Sequence, residues 1–136
     1  MNIRDIEQVK IDGDMLKAIF SRQKELEEKY HDIEASNGAL VLSIPLDLNT
    51  FSGQERTRLL IYRIAEELFE SGNCLRNKAW KQSQVPVDID HFLEELADGL
   101  HFYIQLFIEL GLTSEDVCSL YFKKSEVNKF RQRSNY

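Results

Sequence analysis

Two short acidic blocks in the sequence have the residue types and the spacing of a carboxylate site. The first covers residues 66–70 (EELFE) and the second covers residues 94–98 (EELAD). In each block two carboxylates stand three residues apart, which puts them on one face of a helix. Helical periodicity turns two carboxylates of each block towards the interior of the protein. These four residues are Glu67, Glu70, Glu95 and Asp98.

Four carboxylates in a partly apolar site repel one another, so protons or cations must neutralise part of their charge. The set offers only oxygen donors and has no accompanying cysteine, which favours a hard ion such as Mg²⁺ or Mn²⁺. Magnesium held by carboxylates usually binds substrate phosphate as well. The blocks therefore predict a magnesium site acting on a phosphate-containing substrate. The alternative interpretation is two solvated acidic helix faces.

Four main helices with short connections are predicted to position these carboxylates. Apolar periodicity and capping residues place them at about residues 15–33, 53–73 and 87–110, with the last beginning at 113 or 114. Residues 40–44 (LVLSI) could form a strand, but no other segment is suited to pair with it, so a loop with some helical turns is expected. The predicted fold class is all-α, a bundle of four to five helices.

Composition narrows the functional classes. The chain has 136 residues, enough for one domain spanning residues 1–136, and a net charge of −6 that argues against general nucleic-acid binding. No long uncharged apolar run predicts a membrane helix, and the charged N-terminus does not resemble a signal peptide. Cys74 and Cys118 lack metal-like spacing, which predicts reduced thiols and a cytoplasmic protein.

Positive charge gathers in two segments that could contact an anionic ligand. Residues 76–81 (RNKAWK) include the only Trp, so a Lys could neutralise phosphate while the indole covers a base, or the Trp could anchor a loop to the core. Residues 123–133 hold five cations, a possible anion clamp or a favourable charge at a helix C-terminus. Gln23 interrupts the apolar stripe of the first helix and needs hydrogen-bond partners from protein or ligand.

The third predicted helix is apolar on more than one side. Phe102, Leu106, Phe107 and Leu110 give it more apolar surface than one face of a small bundle can cover. An uncovered apolar face of this kind marks an interaction surface. The sequence therefore predicts a homodimer.

These segments, in this order, resemble those of the dimeric all-α dUTPases, members of the MazG-like superfamily of nucleoside-triphosphate pyrophosphatases. The superfamily pattern is ExxE followed, one connection later, by ExxD, as at residues 67–70 and 95–98. Residues 78–80 (KAW) resemble the family's Lys-x-Trp segment, and residues 98–102 (DGLHF) resemble its D-x-L-H-F. The resemblance spans residues 15–136.

Two further segments carry the same resemblance. Gln23-x-x-Leu26 resembles the amide of the family's first helix. Residues 121–132 (YFKKSEVNKFRQ) resemble its closing Y-x-x-K-N-x-x-N-x-x-R-Q, with Ser125 where the family usually has Asn. The resemblance implies a homodimer of the MazG-like fold that hydrolyses dUTP, and dUDP, to dUMP with release of pyrophosphate or phosphate. It leaves open a related pyrophosphatase that prefers dCTP or other non-standard nucleotides, and a non-enzymatic helical interaction module.

The resemblance also implies roles for individual residues. Glu67 and Glu70 would be catalytic, with Glu70 taking the proton of the attacking water. The Mg²⁺ ligands would be Glu67, Glu70, Glu95 and Asp98. The residues implied in substrate binding are Gln23, Lys78, Trp80, Lys124, Asn128 and Arg131. In that set the cations would hold the phosphate tail, and Gln23 and Trp80 would face the base.

Overall fold

The chain forms four α-helices and one short 3₁₀-helix. The structure, a computed structural model, describes residues 1–135; Tyr136, the last residue of the predicted domain and of the resemblance, lies outside them. The elements are the 3₁₀-helix Ile3–Asp5, α1 (Met15–Ser36), α2 (Phe51–Asn73), α3 (Ile89–Glu109) and α4 (Ser114–Arg133). Residues 1–135 contain no strand, so the predicted all-α fold is confirmed and residues 40–44 lie in a loop.

Each α-helix begins after a residue whose side chain accepts a hydrogen bond from the backbone N–H three positions on. These caps are Asp14, Thr50, Asp88 and Thr113. A cap of this kind stabilises a helix by about 1 kcal/mol because it satisfies a free N–H of the first turn. At α4 the Thr113 side chain accepts from the Asp116 backbone N–H, and the Asp116 carboxylate accepts from the Thr113 backbone N–H. Since Thr50 provides the cap of α2, that helix begins earlier than predicted.

The pairing of α2 with α3 positions the two acidic blocks. These helices form the most extensive contact between any two elements in the described chain. Gly99 of α3 is buried, and a Cβ there would lie 3.7 Å from Glu67 Cβ and 3.7 Å from Leu68 Cδ2. The backbone of the second acidic block therefore passes directly beside the first block.

On its other side α3 packs against α1. The buried core there consists of Phe20, Ile104 and Ile108, with Leu16, Phe107 and Val117 packed around it. Burying each such side chain stabilises the fold by about 1.5–3 kcal/mol. From α4 only Ser114 is fully buried, and this helix leaves large apolar side chains such as Leu120 and Tyr121 exposed.

A buried charged network joins α2 and α3, and Glu27 of α1 lies close enough to be affected by its charges. The Arg56 guanidinium donates to both carboxylate oxygens of Glu109 at 2.8 and 3.1 Å, and Gln105 Nε2 donates to Glu109 Oε2 at 2.8 Å. Glu27 is 3% exposed, and among residues 1–135 its Oε1 has no hydrogen-bond partner. Burial, reinforced by the Glu109 charge, raises the pKa of Glu27 to about 8. Glu27 is therefore mainly protonated at neutral pH.

Replacing Glu27 by Gln should remove a loss of stability at alkaline pH. The pKa of Glu27 in the folded protein is about 8 and its ordinary value is 4.5, so between these values the folded state binds more protons than the unfolded chain. The free energy of unfolding of the natural protein therefore falls as pH rises through this window. At about pH 9 the natural protein carries a buried charge at Glu27 and the variant carries none, so the variant should be more stable by at least about 1–3 kcal/mol, the cost of an unsatisfied buried polar group, which is larger for a charged one.

Urea denaturation from about pH 5 to about pH 9 measures this difference. Glu28→Gln is the matched control, because Glu28 is the exposed neighbour of Glu27 on α1. Its pH profile should run parallel to that of the natural protein. A Glu27→Gln profile that also ran parallel would contradict the buried, protonated state of Glu27.

Candidate carboxylate site

The contact between α2 and α3 brings three of the four predicted carboxylates together. One oxygen each from Glu67, Glu95 and Asp98 lies within 4.8 Å of the other two, and all three side chains are partly buried. Oxygen ligands stand about 2.0–2.6 Å from Mg²⁺ or Ca²⁺, so ligands of one ion lie at most about 5 Å apart. We call these three residues the carboxylate triad. Its spacing and its all-oxygen donor set fit a single hard divalent cation.

The triad brings three carboxylates together in a partly buried environment. Burial is the largest cause that raises the pKa of Glu67 to about 7, followed by the charge of Glu70. A hydrogen bond with Glu95 and the charges of Asp98 and Glu95 act in the same direction. Near neutral pH Glu67 therefore holds a proton part of the time, and a bound cation would replace that proton.

Glu70 lies beside the triad but does not belong to it. Its side chain is exposed, and it lines a cavity of about 450 Å³ together with Glu95, which belongs to the triad. A carboxylate next to a metal site and outside the closest ligand group is suited to accept a proton from water. The assignment of Glu70 as a metal ligand and as the base stays a prediction.

His91 lies one turn before Glu95 on α3 and contacts the triad. Its Nε2 lies 3.4 Å from Glu95 Oε1, and it lines the same cavity as Glu70. Such a contact restricts the orientation of a ligating carboxylate. The sequence interpretation did not include His91, although the spacing of four residues between His91 and Glu95 on one helix face was a usable signal.

Lys78 and Trp80 lie on the connection between α2 and α3. Trp80 is 78% exposed, which excludes the alternative that it anchors this connection to the core. The Lys78 Nζ lies 5.7 Å from the centroid of the Trp80 ring, within the range of a cation–π contact. The indole is therefore accessible to a planar ligand, as the predicted role requires.

The predicted residues of α4 lie in a different place. Lys124 and Asn128 line a largely apolar cavity of about 540 Å³ between α3 and α4, while Arg131 follows on the exposed end of α4. This cavity shares no lining residue with the one that Glu70 and Glu95 line. A single copy of the chain thus does not place α4 in the cavity beside the triad.

Gln23 is almost fully buried, so a ligand cannot reach it freely. Its side chain is 3% exposed, and its Oε1 has no hydrogen-bond partner within the described part of the chain. The Gln23 amide oxygen therefore still needs a hydrogen-bond partner, as the sequence indicated. A ligand can satisfy this oxygen only after a neighbouring side chain moves.

The fold and the site together define a class of protein: an all-α protein with a carboxylate site suited to a divalent cation. A protein-family model described as dUTPase matches residues 15–113. The chain belongs to this dUTPase family, a family of nucleoside-triphosphate pyrophosphatases, which confirms the resemblance and the predicted enzyme class. The match includes both acidic blocks and ends before α4.

No curated protein and no solved structure matches the chain. No helix within residues 1–135 has the length and the apolar character needed to span a membrane.

Proposed function

We propose that the protein hydrolyses dUTP, and also dUDP, to dUMP, with Mg²⁺ as its cofactor and Mn²⁺ as a substitute. The observation that carries the proposal is the carboxylate triad in a chain that belongs to the dUTPase family. The proposal takes residues 1–136 as one domain. The products besides dUMP are pyrophosphate from dUTP and phosphate from dUDP.

In this proposal the triad would hold the metal, and Glu70 would contribute a further carboxylate oxygen from the adjoining cavity. Bound Mg²⁺ would supply positive charge that neutralises phosphate oxygens and makes a nearby water more acidic. Glu70 and Glu67 act in the chemistry: Glu70 takes the proton of the water that attacks the anhydride between the α- and β-phosphates. The exposure of Glu70 supports this role, since its carboxylate is open to water.

The remaining predicted residues bind the nucleotide. Charge-assisted hydrogen bonds from cationic side chains hold the phosphates, while Gln23 and Trp80 contact the base. The phosphate-binding residues in this proposal are Lys78, Lys124, Asn128 and Arg131. An accessible indole supports the stacking role of Trp80, and an unpartnered amide oxygen supports the hydrogen-bonding role of Gln23.

The base preference gives a direct test. A site that hydrogen-bonds a base edge rejects a wrong base because its own polar groups are then left unpaired. We expect kcat/KM for dUTP to exceed that for dCTP or dTTP at least about tenfold, a difference of about 1.4 kcal/mol. Gln23→Ala should narrow this gap, and Trp80→Ala should raise KM for every nucleotide. Pyrophosphate release in Mg²⁺ measures both effects.

Gln8→Ala, at an exposed position before α1, is the control and should leave the preference unchanged. Equal kcat/KM values for dCTP and dUTP would assign the protein to a related pyrophosphatase with another base preference. No pyrophosphate release from any nucleotide would contradict the proposed activity.

We also propose a homodimer, whose interface contains different residues from those that the sequence suggested. Leu106 is buried within the chain and Phe102 and Phe107 are partly buried, so the bundle itself covers much of that surface. Other apolar side chains of α3 and α4 stay exposed around the cavity that Lys124 lines. They are Leu100, Tyr103, Leu120 and Tyr121.

A second copy would remove this apolar surface from water and could bring α4 to the partner's triad. At micromolar concentration, sedimentation should therefore give a species of twice 15.9 kDa. Replacing Leu120 by Lys, at an exposed position on α4, should shift the protein towards the monomer. A natural protein that sediments only near 15.9 kDa would contradict the dimer.

A further inference from the structure

The cavity beside the triad contains a guanidinium that the proposed roles do not use. Arg76 lies on the connection that follows α2 and lines this cavity of about 450 Å³ together with Glu70 and Glu95. Asn73 and His91 line it as well. The cavity therefore opens directly from the carboxylates proposed to act on the substrate, and Arg76 and His91 are its basic side chains.

The charge of Arg76 is not used within the fold. Across residues 1–135, no carboxylate lies within ion-pair distance of Arg76. Two of the acidic residues lining the cavity have other partners: Asp88 lies 3.5 Å from Arg4, and Glu95 lies 3.4 Å from His91. A guanidinium carries five N–H donors in a planar fork, so Arg76 keeps this donor set for a ligand in the cavity.

We propose that Arg76 binds the leaving phosphates of the substrate, the pyrophosphate part of dUTP. This inference rests on the proposed function, because it takes the triad as the point where the anhydride is cleaved. Glu95 belongs both to the triad and to the cavity wall, so a phosphate chain that reacts at the triad continues into the cavity. There the guanidinium fork of Arg76 matches two phosphate oxygens in a bidentate contact.

Arg76 also offsets a charge problem that the acidic cavity creates. Pyrophosphate leaving past Glu70, Asp88 and Glu95 meets like charges, which raise its free energy in the cavity. A bidentate arginine both lowers that free energy and fixes the direction of the leaving group. A lysine, which offers a single charged point, would lower the free energy of the pyrophosphate but would not fix its direction.

Direct binding of inorganic pyrophosphate and of dUMP tests the assignment without requiring turnover. The full chain, with Mg²⁺ present, is titrated with each product by calorimetry. Arg76→Gln should raise the Kd for pyrophosphate about tenfold, the size expected for a lost charge-assisted hydrogen bond. Its Kd for dUMP should change less than about twofold. Arg76→Lys should recover part of the affinity for pyrophosphate.

Arg22→Gln is the control, because Arg22 lies exposed on α1 and forms only a surface ion pair with Glu25 at 3.8 Å among residues 1–135. Circular dichroism verifies that each variant is folded. Equal weakening of pyrophosphate and dUMP binding, or an unchanged Kd for pyrophosphate, would overturn the assignment. So would a natural protein that does not bind pyrophosphate in Mg²⁺. A protein that binds pyrophosphate through Arg76 but hydrolyses no nucleotide would refute the proposed function alone.

Discussion

Glu67→Gln and Glu95→Gln should each abolish nucleotide hydrolysis while leaving the helices intact. Both residues belong to the carboxylate triad, and an amide keeps the shape of the side chain but removes the negative charge that a divalent cation needs. We expect kcat to fall at least about a thousandfold, which corresponds to about 4 kcal/mol of activation free energy. Pyrophosphate release in Mg²⁺ measures the loss, and circular dichroism measures helicity.

The melting temperature of each variant distinguishes loss of the metal site from damage to the fold. Without metal, Glu67→Gln should unfold at no lower temperature than the natural protein, because the substitution removes a carboxylate whose pKa burial and its acidic neighbours raise to about 7. Mg²⁺ plus the products dUMP and pyrophosphate, which the protein does not consume, should raise the Tm of the natural protein, since ligands that bind only the folded state stabilise it. The Tm of the variant should not respond.

Glu66→Gln is the matched control for this pair of substitutions. Glu66 is the neighbour of Glu67 on α2, but its side chain is exposed and it is not part of the triad. Its activity should stay within about twofold of the natural protein, as is usual for a surface substitution away from such a site. Full activity of the natural protein in EDTA would contradict the metal requirement.

The helices and the meeting of the two acidic blocks could be predicted from the sequence because both depend on local signals. Apolar periodicity and cap residues act within one or two turns, and α1 and α4 begin where the sequence placed them, after the caps Asp14 and Thr113. The same periodicity indicated that Glu67, Glu95 and Asp98 lean inward, but it also placed Glu70 in this set, and the Glu70 side chain is exposed. It could not indicate that Glu70 stays outside the triad, because that depends on the contact between α2 and α3 and not on either helix alone.

Features that depend on distant residues were not predictable in this way. Arg56 and Glu109 are 53 positions apart, and nothing in the local sequence of either residue indicates the other. The apolar residues of α3 presented the same difficulty: Leu106 could face α2 or a second copy of the chain, and only the packing shows that it is buried. For the same reason the cavity that Lys124 lines could not be located relative to the triad.

Arg56→Met should lower the free energy of unfolding far more than replacement of an exposed arginine on the same helix. The guanidinium binds both oxygens of Glu109, a residue only 2% exposed, and the side chain of Arg56 is itself only 15% exposed. Removing one partner of a buried ion pair leaves the other charge uncompensated, at a cost of about 3–5 kcal/mol. That is a large part of a typical free energy of unfolding of about 5–15 kcal/mol.

Removing both charges should recover part of the loss. In the double variant Arg56→Met/Glu109→Met no unpaired charge remains at this position, and apolar replacement of a buried pair is commonly close to neutral. The buried Gln105 amide loses its acceptor, which costs about 1–3 kcal/mol. Glu27 does not reintroduce a full charge at neutral pH, because its pKa is raised to about 8. The two substitutions should therefore be strongly non-additive, as expected for residues in direct contact.

Urea denaturation at neutral pH measures each free energy of unfolding, with Arg58→Met as the control. Arg58 lies on the same helix but is exposed, so its replacement should change the stability by no more than about 0.5 kcal/mol. If Arg56→Met cost less than about 1 kcal/mol, the network would be a solvated surface pair, which contributes little. A double variant as unstable as Arg56→Met would instead assign the loss to the packing of the arginine stem and to the Gln105 amide left without an acceptor, since the unpaired Glu109 charge is then absent.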